Sequence, residues 1–198
     1  LSVADICITR RQGAAVPDWV VTSTPYLAPR LPGTGDAWSA EAASTDRVGT
    51  QTLLEVGERL PPFNVADRLD IRYSELAVVR RRLILLDGAP VELADSWYPL
   101  SVAAGTRLAE NRKIPGGAVT YLAGLGYAAR RSIEDVGAPV ASADQSEMLG
   151  LPPGSRLLEL VRTSLAADGS PFEVTLMAMN PEPQGEDLRR IRYELTLD

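Results

Sequence analysis

The chain has no histidine, a single cysteine (Cys7) and a single lysine (Lys113) among its 20 basic residues. Without histidine the commonest general base is missing, and Ser-His-Asp and Cys-His nucleophile arrangements are excluded. One cysteine cannot close an internal disulfide, and no Cys/His cluster has the spacing of a zinc site. No metal and no cofactor are therefore expected. No apolar run approaches the ~20 residues of a membrane helix, and the N-terminus lacks the pattern of a signal peptide, so a cytoplasmic protein is expected. Positive charge is also scarce. A net charge of −6 and a pI near 4.8 argue against a nucleic-acid surface on these residues, because phosphate contacts need clustered Lys and Arg.

What is present describes a globular chain. Its 198 residues, 45% apolar and 23% charged, suffice to bury a core. Residues 1–45 differ from the rest: prolines and glycines interrupt one short strand-like run at Trp19–Thr22. They read as an N-terminal arm, either a plain linker or a cover for the main body or a second subunit through Trp19, Tyr26 and Trp38. Residues 46–198 read as one domain.

Within that domain a sentence is written twice. "RRRLILLDGAPVE" (80–92) and "RTSLAADGSPFE" (162–173) both run from Arg through an apolar stretch to Asp-Gly, Pro and Glu. Asp-Gly between strand-like runs signals a β-hairpin. A short helix precedes each copy. The first has Asn64 as its expected N-cap and ends near Leu69; the second opens on Ser142 and Gln145, spaced as a capping box. Strands are expected in "TQTLLEVGERL", in "YAARRSIEDVGAPV" and in the closing "RIRYELTLD", with a short helix at 118–126. Two helix–strand–hairpin–strand units then give an α+β fold, one antiparallel sheet with helices on one face.

Alternation along a strand puts Arg80 and Arg82 on one face with Ile84, and Arg81 on the other. Counting 81 residues on, Arg162 matches Arg81, so Arg80 and Arg82 have no counterpart in the second copy. Two guanidiniums on one face need carboxylates, such as Glu55, Glu75, Glu92 or Glu173, or an anionic ligand between them. Glu92 and Glu173 occupy matching places after the two hairpins. Gly116 and Gly117 precede a helix N-terminus, where an anion is favoured.

The strings "GTQTLLEVGERLPPFNVADRLDI", "VVRRRLILLDGAPVELADSWYP", "ENRKIPGGAVTYLAGLGY" and "RRIRYEL" resemble the UTRA domain, the effector-binding domain of HutC-type GntR transcription regulators. The resemblance runs from about Gly49 to the C-terminus. It implies a chorismate-lyase-like fold, a cleft for a small metabolite, a homodimer, and contact with DNA only through a winged-helix domain that these residues do not contain. In sugar-phosphate-responsive members two arginines hold the phosphate. Arg82 matches the first and Ile84 stands at the second, with Arg80 able to substitute. Gly117 stands where those members have a serine, leaving only its backbone N–H; Ala94 replaces a glutamate, with Asp95 and Glu92 nearby; Glu173 is retained. The expected ligand set is thus Arg80, Arg82, Glu92, Asp95, Gly116, Gly117, Glu173 and Tyr193, for a metabolite other than a phosphosugar, anionic or amphipathic. The alternative is a stand-alone lyase or cyclase in the same cleft, with Arg80, Arg82 and Glu173 gripping carboxylates and moving a proton.

Overall fold

The structure, a computed structural model, describes residues 19–31, 34–182 and 189–193. Cys7 and the end of the closing strand, 194–198, lie outside the described residues, as do the side chains of 19–21.

A short strand, β1 (Trp19–Val21), is followed by the six strands of the main sheet: β2 (Gly49–Arg59), β3 (Ala77–Leu86), β4 (Ala89–Pro99), β5 (Arg131–Gly137), β6 (Leu158–Leu165) and β7 (Pro171–Met179). They pair antiparallel in the order β2-β3-β4-β7-β6-β5. Two three-stranded meanders thus join edge to edge through β4 and β7. The junction pairs Asp95 with Leu176, residues that correspond in the two copies, so a pseudo-two-fold passes through that pair. The closing strand, β8 (Arg189–Ile191), does not extend this sheet; it lies parallel to β1.

The two hairpins differ in one respect that the residue count hides. In the first, Asp87 and Gly88 form the whole loop, both with positive φ (50° and 82°), as a two-residue turn with the twist of its strands requires. In the second, β6 ends at Leu165 and the chain closes through Ala166 N–H to Ser170 O, 2.9 Å, around Ala167, Asp168 and Gly169. The incoming strand is therefore displaced by one residue. Arg162 pairs with Thr175 as Arg82 pairs with Ala94, and Thr175 is the counterpart of Ala94. The structural mate of Arg162 is Arg82, not Arg81. Each return strand also carries one extra residue, Val91 or Phe172, where the register shifts, and both are buried.

The repeat helices α2 (Phe63–Arg68) and α5 (Ala143–Leu149) cover one face, as expected. Val65 and Leu69 pack on Val79, Trp97, Val161 and Val174, and Leu149 packs on Leu93 and Ala178. Each such fully buried aliphatic side chain contributes about 1.5–3 kcal/mol. The cap of α2 is Pro62, and Asn64 lies inside the helix. The capping box of α5 forms, with Gln145 N–H donating to Ser142 Oγ at 3.2 Å and Ser142 N–H to Gln145 Oε1 at 2.9 Å.

The other face is covered too, contrary to the one-sided expectation. α1 (Ala37–Ala43), α3 (Leu100–Ala103) and α4 (Ala118–Gly124) lie over it. Trp38 packs on Ile84, Leu86 and Met179 and its indole N–H donates to Leu85 O, 3.0 Å. A β-carbon at Gly49 would sit 2.8 Å from both Ala42 Cβ and Trp38 Nε1, so only glycine lets β2 start beneath α1. Residues 22–31 run across the same side, with Tyr26 against the Trp38 cluster.

Candidate functional site

Between this face of the sheet and the segments above it lies a cavity of about 150 Å³. Alternation decides its floor. Arg82, Ile84, Glu92, Ala94 and Ser96 point in from β3 and β4, and Leu160, Arg162, Glu173, Thr175 and Met177 from β6 and β7. The roof comes from Ser23, Tyr26 and Arg30, from Trp38 and Asp36 of α1, and from the start of α4 at Gly116–Thr120. A volume of this order takes a ring-sized guest.

The charged groups on the floor have unequal company. Arg162 Nε donates to Glu134 Oε1 at 2.6 Å, and its Nη2 donates to Ser23 Oγ at 2.9 Å. Ser23 Oγ in turn donates to Glu134 Oε2, 2.8 Å. Burial opposes ionisation of Glu134, but Arg162 and these hydrogen bonds hold its carboxyl below the usual 4.5. Glu92 accepts from Arg189 Nη2 at 2.7 Å. Glu173 accepts from Tyr98 Oη at 2.8 Å, and burial keeps that tyrosine neutral by raising its pKa.

Arg82 stands apart. Its Nη2 donates to Ser96 Oγ, 2.9 Å, and that hydroxyl lies 3.0 Å from Thr175 Oγ1. Its Nε is buried without an acceptor, and no carboxylate among the described residues forms an ion pair with it. The repeat explains this. Across from Arg162 in β5 stands Glu134, while across from Arg82 in β2 stands Leu53, the residue 81 positions before Glu134. One difference between the copies neutralises one arginine and leaves its mate with open donors.

Of the expected ligand residues, Arg82, Glu92, Gly116, Gly117 and Glu173 line the cavity; Arg80, Asp95 and Tyr193 do not. Arg80 shares Arg82's face but lies farther along β3. Its Nη1 donates to the carbonyls of Leu108 (2.8 Å), Glu110 (2.9 Å) and Arg107 (3.3 Å), and its Nη2 to that of Arg112 (2.8 Å). Carbonyls of one loop answer its charge, with the Glu110 carboxylate of the same loop adding to them. Of the trio Arg80, Arg82 and Glu173 suggested for lyase chemistry, Arg82 and Glu173 line this cavity, and Arg80 lines a smaller neighbouring one together with Arg82. Asp95 stands three positions after Glu92 and so faces the opposite side of the sheet, toward α5, where Arg81 Nε donates to it at 3.1 Å. Tyr193 donates to Glu134 Oε2 at 3.0 Å from the surface. The N–H of Gly117 already donates to Ile114 O, 3.0 Å. Both glycines have positive φ, 77° and 86°, so they shape the turn into α4. The count missed Arg162, because of the longer loop. It also missed Arg189, in the closing string, and Arg30, in the arm.

Among the described residues no helix is long and apolar enough to cross a membrane, and no group of His, Cys, Asp and Glu gathers as metal ligands. Comparison with known proteins agrees with the fold. Residues 44–182 match the model of the UTRA domain. An HTH-type transcriptional regulator of Streptomyces coelicolor is 30% identical over 115 residues, which are 57% of this chain and 43% of that protein; the matched part is under half of the relative's length. The ligand-binding domain of a protein assigned to the GntR transcriptional regulators, from Bordetella bronchiseptica, superposes with a TM-score of 0.62 at 25% identity, over 75% of this chain and 91% of the other. The effector domain of PhnF from Mycobacterium smegmatis gives 0.66 at 17% identity, over 84% and 99%. With the six-stranded sheet, its paired hairpins and a single-sided cavity in place, the chain belongs to the UTRA domain family, the effector-binding module of GntR-type transcription regulators.

Proposed function

We propose that this domain senses a small anionic metabolite, bound in the cavity above β3, β4, β6 and β7, and passes its presence to a DNA-binding partner domain. The observation that carries the reading is Arg82: a guanidinium on a cavity floor, its charge unanswered and its Nε buried without an acceptor. Burying such a group is costly unless an acceptor is supplied, and a carboxylate or phosphate matches its fork. Ile84, Leu160, Met177 and Met179 give the ligand's body an apolar bed, and Glu92 and Glu173 offer acceptors for a hydroxyl or amine. A regulator whose output is DNA works in the cytoplasm, where we place it.

Thermal melting against phosphosugars, amino acids, aromatic carboxylates and phosphate monoesters tests the reading. Binding raises the melting temperature with ligand excess over Kd; Arg82→Ala should abolish that rise for the anion that gives it. An equal rise in the variant would remove Arg82 from the site. We also propose a homodimer through the β2–β3 connection, where Phe63 stacks on Tyr73 at 4.3 Å and Leu60 and Leu76 are exposed. Sedimentation should show a dimer that Phe63→Asp dissociates; a monomer in the parent chain would refute it.

A further inference from the structure

The roof of the cavity contains a second arginine in the same condition as Arg82. Arg30 lines the cavity from the N-terminal arm, its Nε is buried without an acceptor, and no carboxylate among the described residues forms an ion pair with it. The arm is held in place before Arg30 and at Arg30 itself. Ser23 is fixed between Arg162 and Glu134, and the backbone N–H of Arg30 donates to Thr120 Oγ1 at 3.1 Å, on the helix whose start forms the same wall. One arginine thus enters from the floor and one from the roof, both half-buried, each with a buried Nε that has no acceptor, and neither paired with a carboxylate among the described residues. Like charges in such a site repel, and an anion between them turns that repulsion into attraction on both sides.

From this we infer that the arm is part of the binding site: Arg30 closes on the anionic end of the ligand opposite Arg82, so that ligand occupancy and docking of the arm are linked. The inference rests on the anionic-effector reading and adds to it the segment that reports occupancy. Linkage is reciprocal: whatever holds the arm down raises affinity, and the ligand holds the arm down. The cavity's size and its apolar bed narrow the class to a compact organic anion, a ring-sized carboxylate or phosphate monoester.

Benzoate and phenylphosphate separate these two chemistries. Each is titrated calorimetrically into the full chain as wild type, Arg30→Leu, Arg30→Lys and Arg82→Leu, and tryptic cleavage at the Arg30–Leu31 bond is followed in parallel in the wild type and Arg82→Leu. The expected result is that one anion binds the wild type, and that Arg30→Leu and Arg82→Leu each weaken it roughly ten- to hundred-fold. Arg30→Lys, which keeps the charge and loses the fork, should weaken it less. The bound anion should slow the cut at Arg30 in the wild type and not in Arg82→Leu. If Arg82→Leu loses the anion while Arg30→Leu binds as the wild type does and cleavage is unchanged, the role of the arm is overturned and the anionic-effector reading stands. If neither anion binds the wild type, both are overturned.

Discussion

Arg80 donates to four main-chain carbonyls of the loop after α3, Arg81 pairs with Asp95 beneath α5, and Arg82 reaches into the cavity with most of its donors unused. Three identical side chains in a row acquire three roles because a strand alternates faces and because the cover over each position differs. Arg80 is buried, and its loss removes the guanidinium donors to the carbonyls of Leu108 and Arg112 and the second donor to those of Arg107 and Glu110, which also accept backbone N–H groups. Arg80→Ala is expected to lower stability by about 2–4 kcal/mol, read from chemical denaturation, while the folded variant still binds whatever anion the parent binds. A loss below about 0.5 kcal/mol, within the scatter of ordinary surface substitutions, would show that the loop does not depend on it. Asp95 shows the same alternation from the other side: burial pushes its carboxyl upward and Arg81 opposes the shift.

At the scale of elements, the two hairpins, the first Asp-Gly turn, the α5 capping box and the single antiparallel sheet were legible in the sequence, since each rests on a local pattern that tertiary packing did not override. The partners of the arginines were not. Matching the copies at Asp-Gly is right for the return strands, where Glu92 and Glu173 do fall in equivalent places on the cavity floor. It is wrong by one residue for the incoming strands, because the loop after Leu165 is longer, and a one-residue slip changes the face of every side chain. The asymmetry between the copies therefore does not lie in which has an arginine. It lies on the neighbouring strands, in Glu134 against Leu53, a pairing that needs the register. Arg30 and Arg189 were out of reach for another reason: both come from segments whose path over the sheet no local pattern encodes.

Across the whole molecule, a nearly symmetric floor is covered by an asymmetric roof. The pseudo-two-fold through Asp95 and Leu176 would give two equivalent half-sites, but the arm fastens onto the half where Arg162 is neutralised, and the cavity keeps the charge of the other. On the proposed reading, one residue then decides between a structural ion pair and a ligand site. Leu53→Glu copies Glu134 into the first half and gives Arg82 the carboxylate that Arg162 already has. Calorimetric titration of this variant with the anion that binds the parent chain is the most direct measurement. Loss of binding, with the melting temperature retained, is the expected result; binding at the parent's affinity would contradict the central claim that the unneutralised Arg82 makes this cavity an anion site.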